Sequence, residues 1–353
     1  MAEFEGAEQH DTLPGVRAPV STSSVFGHEK RAALLASSYQ TGRLHHALMF
    51  EGPVGIGKAS LAFLLAQHLI ANPRAVEAPS NLMTLAQDSD DFRQLVNGTH
   101  LQVLHLTRPF DPKTEKFKTM VTVDEIRRIN HFLSRTNTGA GYRVVIIDPI
   151  NDMNANAANA LLKNLEEPSG RTLFILIAHS AGRILPTVRS RCQIVHFSPL
   201  SDDDLKQAAS KASVSTKISD TDLNRLTTLA EGGVRRALML IGFGGLDVTD
   251  TADKLIAESV FDIDKAGKLG DAMMSREADI QYQLLTDHLL QRIVKAALRH
   301  GYRNDSNSAE TMARFYGETR QMLVEAQAFN LDRKQTIFGL ISALRHKTQA
   351  GLL

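Results

Sequence analysis

The sequence predicts a doubly wound α/β domain built on a parallel five-stranded sheet, followed by helices alone. Three observations predict it. Five short apolar runs alternate with helical patterns between about residues 23 and 198, and the fourth is apolar on both faces, as buried parallel strands are. The first run ends in a glycine-rich loop that leads straight into an apolar helix. From about residue 199 onward the apolar residues recur at helical spacing, and no strand pattern appears from about 245 to the end.

Composition sets the outer limits. A chain of 353 residues has room for two or three domains, and 43% hydrophobic residues can fill their cores. A formal charge of +1 advertises no global basic field for nucleic acid, although a local patch is compatible with it. The single cysteine, Cys192, excludes a disulfide framework within the chain and a multi-cysteine zinc site. No apolar run is long enough to span a membrane, and the N-terminus lacks a signal-peptide pattern. A cytoplasmic protein is expected.

Taken in order, residues 1–22 are polar and broken by Pro14, Gly15 and Pro19, which reads as a flexible arm. A helix opens near His28 and runs to about Ser38. The pair His45-His46 precedes the first strand, Ala47–Phe50. Adjacent side chains there point in different directions, so a turn accounts for them better than a metal. Residues 72–98 are polar and irregular, His100–Leu106 reads as the second strand, and Thr107–Thr119 as a charged excursion. A helix follows from Val123, then strands at Arg143–Ile147, Thr172–Ala178 and Gln193–Phe197, with a helix over about Ala155–Glu167. Pro168 and Gly170 end that helix.

The chemistry centres on the first loop. Gly52, Pro53, Gly55, Gly57 and Lys58 form a G-x-x-x-x-G-K pattern between strand and helix. Glycines there let backbone N–H groups converge on phosphate oxygens, the helix N-terminus adds positive potential, and Lys58 supplies a point charge. The position that normally carries the Mg²⁺-binding hydroxyl is Ala59, however. Ser60 lies roughly 100° further around the helix and is a poor substitute. The third strand ends in Asp148, placed to reach Mg²⁺, with a strand-end turn as the plainer alternative. Pro149 follows it and can neither act as a base nor orient water. Phosphate binding is expected from such a site, and efficient hydrolysis is not.

Asp202-Asp203-Asp204 opens a helix with acidic first-turn residues, and two more helices follow before Gly244. Leu284, Leu285, His288, Leu289 and Ile293 stripe one later helix; Leu331, Ile337, Phe338, Ile341 and Leu344 stripe the last. Arg292, Lys295, Arg299 and Arg303 lie along or just beyond the first of these. A solvated basic face explains them more simply than a nucleic-acid contact.

Several of these pieces together resemble the AAA+ clamp-loader family. They are Gly27-His28, the P-loop, Ile147-Asp148, Asn159-Ala160-Leu161-Leu162-Lys163, Leu165-Glu166-Glu167-Pro168, Leu185-Pro186-Thr187 and Ser190-Arg191-Cys192. The Ser-Arg-Cys triplet is the most specific of them. The run from Val144 to Pro168 is most similar to the delta-prime branch of the bacterial DNA polymerase III clamp loaders. The resemblance covers about residues 23–243; over the remainder it is a matter of helix pattern and length. It implies an AAA+ α/β domain over 23–198, a small helical lid domain over 199–244 and an all-α collar for oligomerisation over 245–353. It implies that Arg191 is an arginine finger acting in trans on ATP held by a neighbouring motor subunit. A structural ion pair is its alternative role. Arg235 matches the lid arginine that touches nucleotide in active members, and Ser180 sits at the first sensor position or is a strand-end cap.

The implied partners are gamma/tau motor and delta subunits in a hetero-oligomeric ring, the sliding clamp, and primed DNA through the complex, with no membrane. Many relatives carry four zinc-binding cysteines between the first helix and second strand; residues 72–100 contain none, so no zinc is expected. The expected role is a stator without ATPase turnover of its own, within the DNA-directed DNA polymerase (nucleotidyltransferase) holoenzyme. Weak ATP/Mg binding stays open. Two other readings are an ATP-hydrolysing gamma/tau-like motor, opposed by Ala59 and Pro149, and a P-loop phosphotransferase, in which the Ser-Arg-Cys triplet and long helical tail have no place.

Overall fold

The computed structural model describes residues 9–134, 141–180, 182, 184–213, 220–275 and 278–353, the side chains of 220–224 excepted. Residues 1–8 of the N-terminal arm lie outside that set. The chain divides into two compact units, Met1–Ala237 and Leu238–Leu353.

The first unit is built on strands β1 (Ala47–Glu51), β2 (Val103–Leu106), β5 (Arg143–Ile147), β6 (Thr172–Ala178) and β7 (Gln193–His196). All pair in parallel, in the order β2-β5-β6-β1-β7. Side chains alternate across the sheet, and both faces are buried. Leu48, Phe50, Ile146 and Ile175 join one core with helices α1 (Glu29–Gln40) and α2 (Lys58–Ala71). Met49, Val145, Ile147 and Phe174 join the other, with α4 (Val123–Ser134) and α5 (Ala155–Glu166). All seven residues of β6 are buried, which explains its unbroken apolar sequence.

The second strand is shorter than the sequence suggests. Only Val103–Leu106 pairs, because His100 to Gln102 form a turn whose His100 Nδ1 accepts from the Gln102 N–H at 3.2 Å. The charged excursion contains a small hairpin, β3 (Phe110–Asp111) against β4 (Lys116–Phe117). The polar stretch 72–98 also holds a helix, α3 (Asp90–Val96). Ser89 caps it by accepting from the Phe92 N–H, and Phe92, Leu95 and Val96 point inward. Buried polar groups of α2 tie down the rest of that stretch: the Gln67 side-chain oxygen accepts from the Leu85 N–H and His68 Nδ1 from the Met83 N–H, both at 3.1 Å. These bonds hold the segment against α2.

The stretch expected as a loose arm is docked from residue 9 onward. Leu13 and Val20 are buried, Val16 bridges to Ser213, and the Arg17 N–H donates to the Ala212 carbonyl at 3.1 Å. The short helix α6 (Pro186–Arg189), then α7 (Asp202–Ala212), α8 (Asp220–Ala230) and α9 (Val234–Gly242) complete the unit, whose boundary falls within α9.

The second unit is all helical: α10 (Gly245–Ala257), α11 (Ile263–Ala272), α12 (Asp279–Tyr302), α13 (Ser306–Ala328) and α14 (Arg333–Gln349). Leu285, Leu289 and Ile293 of α12 meet Leu255 of α10 and Ile337, Ile341 and Leu344 of α14 in one core. Leu331, expected in the stripe of the last helix, precedes α14 and is exposed. Arg292 turns onto Asp253 at 2.5 Å, and His288 joins the same carboxylate at 2.9 Å. One arginine of the basic stripe is therefore part of an internal cluster. Among the described residues no helix is long and apolar enough to cross a membrane.

Candidate functional site: a P-loop cleft and a separate surface arginine

β1 delivers the glycine loop to the carboxyl edge of the sheet, beside the point where the connections from β1 and β6 diverge, the usual ligand position in such sheets. Gly55 and Gly57 both have positive φ, +75° and +98°, which a side chain would resist. A Cβ on Gly55 would also lie 2.5 Å from Arg235 Cβ, so only glycine permits the loop to meet α9 here. The Arg235 N–H donates to the Gly55 carbonyl at 3.1 Å. His28, nearly fully buried, pins the far side of the loop: its Nε2 donates to the Ile56 carbonyl at 2.7 Å. Burial pushes its pKa down, so the ring is neutral and keeps that single proton for the loop.

Lys58 is 3% exposed and donates to the carbonyls of Gly52, at 2.7 Å, and Pro53. Burial pulls its pKa down to about 8, against the opposing effect of Asp148. Asp148 follows β5, with its N–H donating to the Leu106 carbonyl at 2.9 Å. Burial, reinforced by Asp11 and Asp152 and opposed by Lys58, pushes its carboxyl up to about 7.

The residues fit a phosphate better than a metal. Glycine N–H groups, the start of α2 and Lys58 suit an anion, yet position 59 offers a methyl group where a hydroxyl would hold Mg²⁺. The Ser60 hydroxyl lies one residue further around α2 and accepts from Thr22 Oγ1 at 3.3 Å. Ser180 follows the end of β6 and is oriented through Asn151, whose Nδ2 donates to its carbonyl at 2.8 Å. Among the described residues no group of three or more His, Cys, Asp or Glu is placed to hold a metal ion.

The P-loop, Asp148 and Arg235 thus lie in one cleft. Arg191 does not join them among the described contacts. It follows α6 and pairs with Glu166 at the end of α5, Nη2 to Oε1 2.5 Å, while Nη1 donates to the Thr187 carbonyl at 2.8 Å. Its side chain is 35% exposed. Cys192 next to it is half-buried, and burial drives its thiol up to about 12, so it is an inert thiol.

Sequence reasoning missed a ring of groups around the cleft. Asp11 meets Arg235, His105 lies on β2, His179 follows β6, and Arg108 pairs with Asp152 at 2.5 Å. Burial brings both His105 and His179 down to about 4, so both are neutral. No local motif marks these residues; only the sheet order brings them together.

A family model described as "DNA polymerase III, delta subunit" matches residues 27–201. The DNA polymerase III subunit delta' of Pseudomonas aeruginosa is 39% identical over 148 residues, 42% of this chain and 41% of that protein. The delta' subunit of Bacillus subtilis is 31% identical over 198 residues, 56% of each. The tau subunit of the same organism is 26% identical over 288 residues, 80% of this chain and 48% of that protein. The chain thus spans about half the length of these relatives.

Proposed function

We propose that the chain is the delta-prime stator of a clamp loader, a reading supported by the DNA polymerase III delta-subunit model that matches residues 27–201 and by its likeness to delta' subunits. In this reading it sits in a hetero-oligomeric ring with gamma/tau motor and delta subunits, and helps place the sliding clamp on primed DNA. Residues 199–244 serve as the lid and 245–353 as the collar of that ring. The chain binds nucleotide weakly at most and does not turn it over. Its catalytic contribution is Arg191, which stabilises charge on the γ-phosphate of ATP held by the neighbouring motor.

The observation that supports this best is the division between two places on the first unit. The P-loop cleft has cationic and backbone donors but lacks the Mg²⁺ hydroxyl at Ala59 and a water-polarising carboxylate at Pro149. Arg191 shares no described contact with that cleft, and is part-exposed and held in place by Glu166 and Thr187. A group that serves chemistry elsewhere needs this combination of access and fixed direction.

The test is steady-state ATPase of this chain alone, then mixed with motor and delta subunits, clamp and primed DNA, with and without Arg191→Ala. Silence alone, stimulation in the mixture and loss of stimulation in the variant are expected. Robust turnover alone, abolished by Lys58→Ala, would overturn the reading in favour of a hydrolysing motor.

A further inference from the structure

The P-loop cleft is lined on one side by the chain's own N-terminal segment. Arg235, whose N–H donates to the loop at Gly55, extends its guanidinium to the Asp11 carbonyl. The Asp11 carboxylate lies 3.7 Å from the same guanidinium. At the other end Gln9 Nε2 is 3.4 Å from His105 Nδ1 on β2, and the His10 ring meets Phe117 of β4 edge to face at 6.4 Å. Downstream, buried Leu13 and the Val16–Ser213 bridge anchor the segment. Residues 9–13 therefore run from the arginine at the glycine loop to the strand edge beside Asp148. The charge of Asp11 acts on Asp148, His105 and His179 together, which places it over the strand ends.

We propose that residues 9–13 are an intramolecular ligand of the P-loop cleft, with the Asp11 carboxylate taking the place of a nucleotide's phosphate at Arg235, so that nucleoside triphosphate and this segment compete for one site. The inference rests on reading the cleft as a nucleotide site. It assigns the cleft an occupant from this chain, and it gives a cause for weak nucleotide binding separate from the missing hydroxyl at position 59. The chemistry permits exchange. A triphosphate offers Arg235 and Lys58 several anionic oxygens, whereas the segment offers one carboxylate that is itself half in solvent. The docked segment and the strand ends under it are also imperfectly paired: His10 Nδ1 of the segment, and His105 Nε2 and His179 Nδ1 of the cleft, are buried with no hydrogen-bond partner.

The full chain contains no tryptophan, so His10→Trp gives a unique reporter of the segment. A fluorescent ATP analogue is titrated into the chain and into Asp11→Arg, which sets a second cation against Arg235. Nucleotide-dependent red shift of the His10→Trp emission, at least tenfold tighter binding in Asp11→Arg, and loss of that gain on adding Lys58→Ala are expected. Equal affinity in both chains, with the reporter unmoved by bound nucleotide, would overturn the competition while leaving the nucleotide site standing. Release of the reporter by Asp11→Arg with no nucleotide bound by either chain would overturn the nucleotide-site reading and the proposal with it. Circular dichroism of each variant separates misfolding from release.

Discussion

Arg191 and Glu166 form an ion pair, Nη2 to Oε1 at 2.5 Å, that fixes the direction of an otherwise accessible guanidinium. Glu166 closes α5 and Arg191 follows α6, so two elements packed on one core set the angle. In an assembled ring Arg191→Ala is expected to remove roughly one motor site's share of turnover, since a trans finger can carry about a thousandfold or more of that site's rate. Glu166→Gln keeps the arginine and loosens its aim, so it is expected to lose less. ATPase of rings assembled with each variant checks the order; an equal loss for both would make the pair purely structural.

Restoring the missing hydroxyl tests what Ala59 costs the cleft. With Ala59→Ser, binding of a fluorescent ATP analogue is expected to become Mg²⁺-dependent by about tenfold, an energy of about 1.4 kcal/mol. Turnover stays absent, because Pro149 still follows Asp148. The readout is affinity with and without Mg²⁺ beside a steady-state ATPase assay.

Two glycines with nearly the same φ should respond differently to alanine. Gly42 has φ +68° and nothing within 4 Å of an added Cβ, so Gly42→Ala should cost only the left-handed penalty, about 1 kcal/mol. Gly55 has φ +75° and meets Arg235 Cβ at 2.5 Å, so Gly55→Ala adds overpacking and should cost about 2 to 4 kcal/mol. Urea denaturation of both variants gives the difference.

The second unit carries a pH dependence of known sign. Burial works against the Asp253 carboxylate, but the bonds and charges of His288 and Arg292 outweigh it and hold its pKa below the ordinary range. The stability this contributes is present above the unfolded pKa, near 4, and is lost as pH falls through the lower folded value. Because the carboxylate is 40% exposed, screening limits Asp253→Asn to about 1 kcal/mol at pH 7. Denaturant unfolding at pH 7 and pH 3 should show that gap closing at the lower pH.

Much of the fold was legible in the sequence because its sheet is buried on both faces. Continuous apolar runs such as Thr172–Ala178 give strand, length and burial at once. The hairpin at Phe110 and Phe117 was not legible, since two-residue strands carry no period. Helix α3 left a usable signal in Ser89-Asp90-Asp91, a cap followed by first-turn acids, which its polar surroundings masked. The P-loop side of the cleft could be read from one local motif. The Asp11–Arg235 contact could not, because it joins residues 224 positions apart and neither belongs to a pattern that names the other.

β1 is an interior strand whose neighbours on both sides, β6 and β7, come far later in the chain. During synthesis the β1 backbone and the face of α2 that packs on the sheet therefore emerge before β6 and β7, with only α1 and the turn at Pro19–Ser21 already made to pack on α2. At ordinary elongation rates that interval is on the order of ten seconds, long compared with the time a helix needs to form. Nascent chains that stop before Thr172 should expose α2 to protease or to a holdase, and chains that have cleared the ribosome past His196 should hide it. The loop of Gly55 and Lys58 thus acquires its shape late in translation, although it is among the first parts to be made.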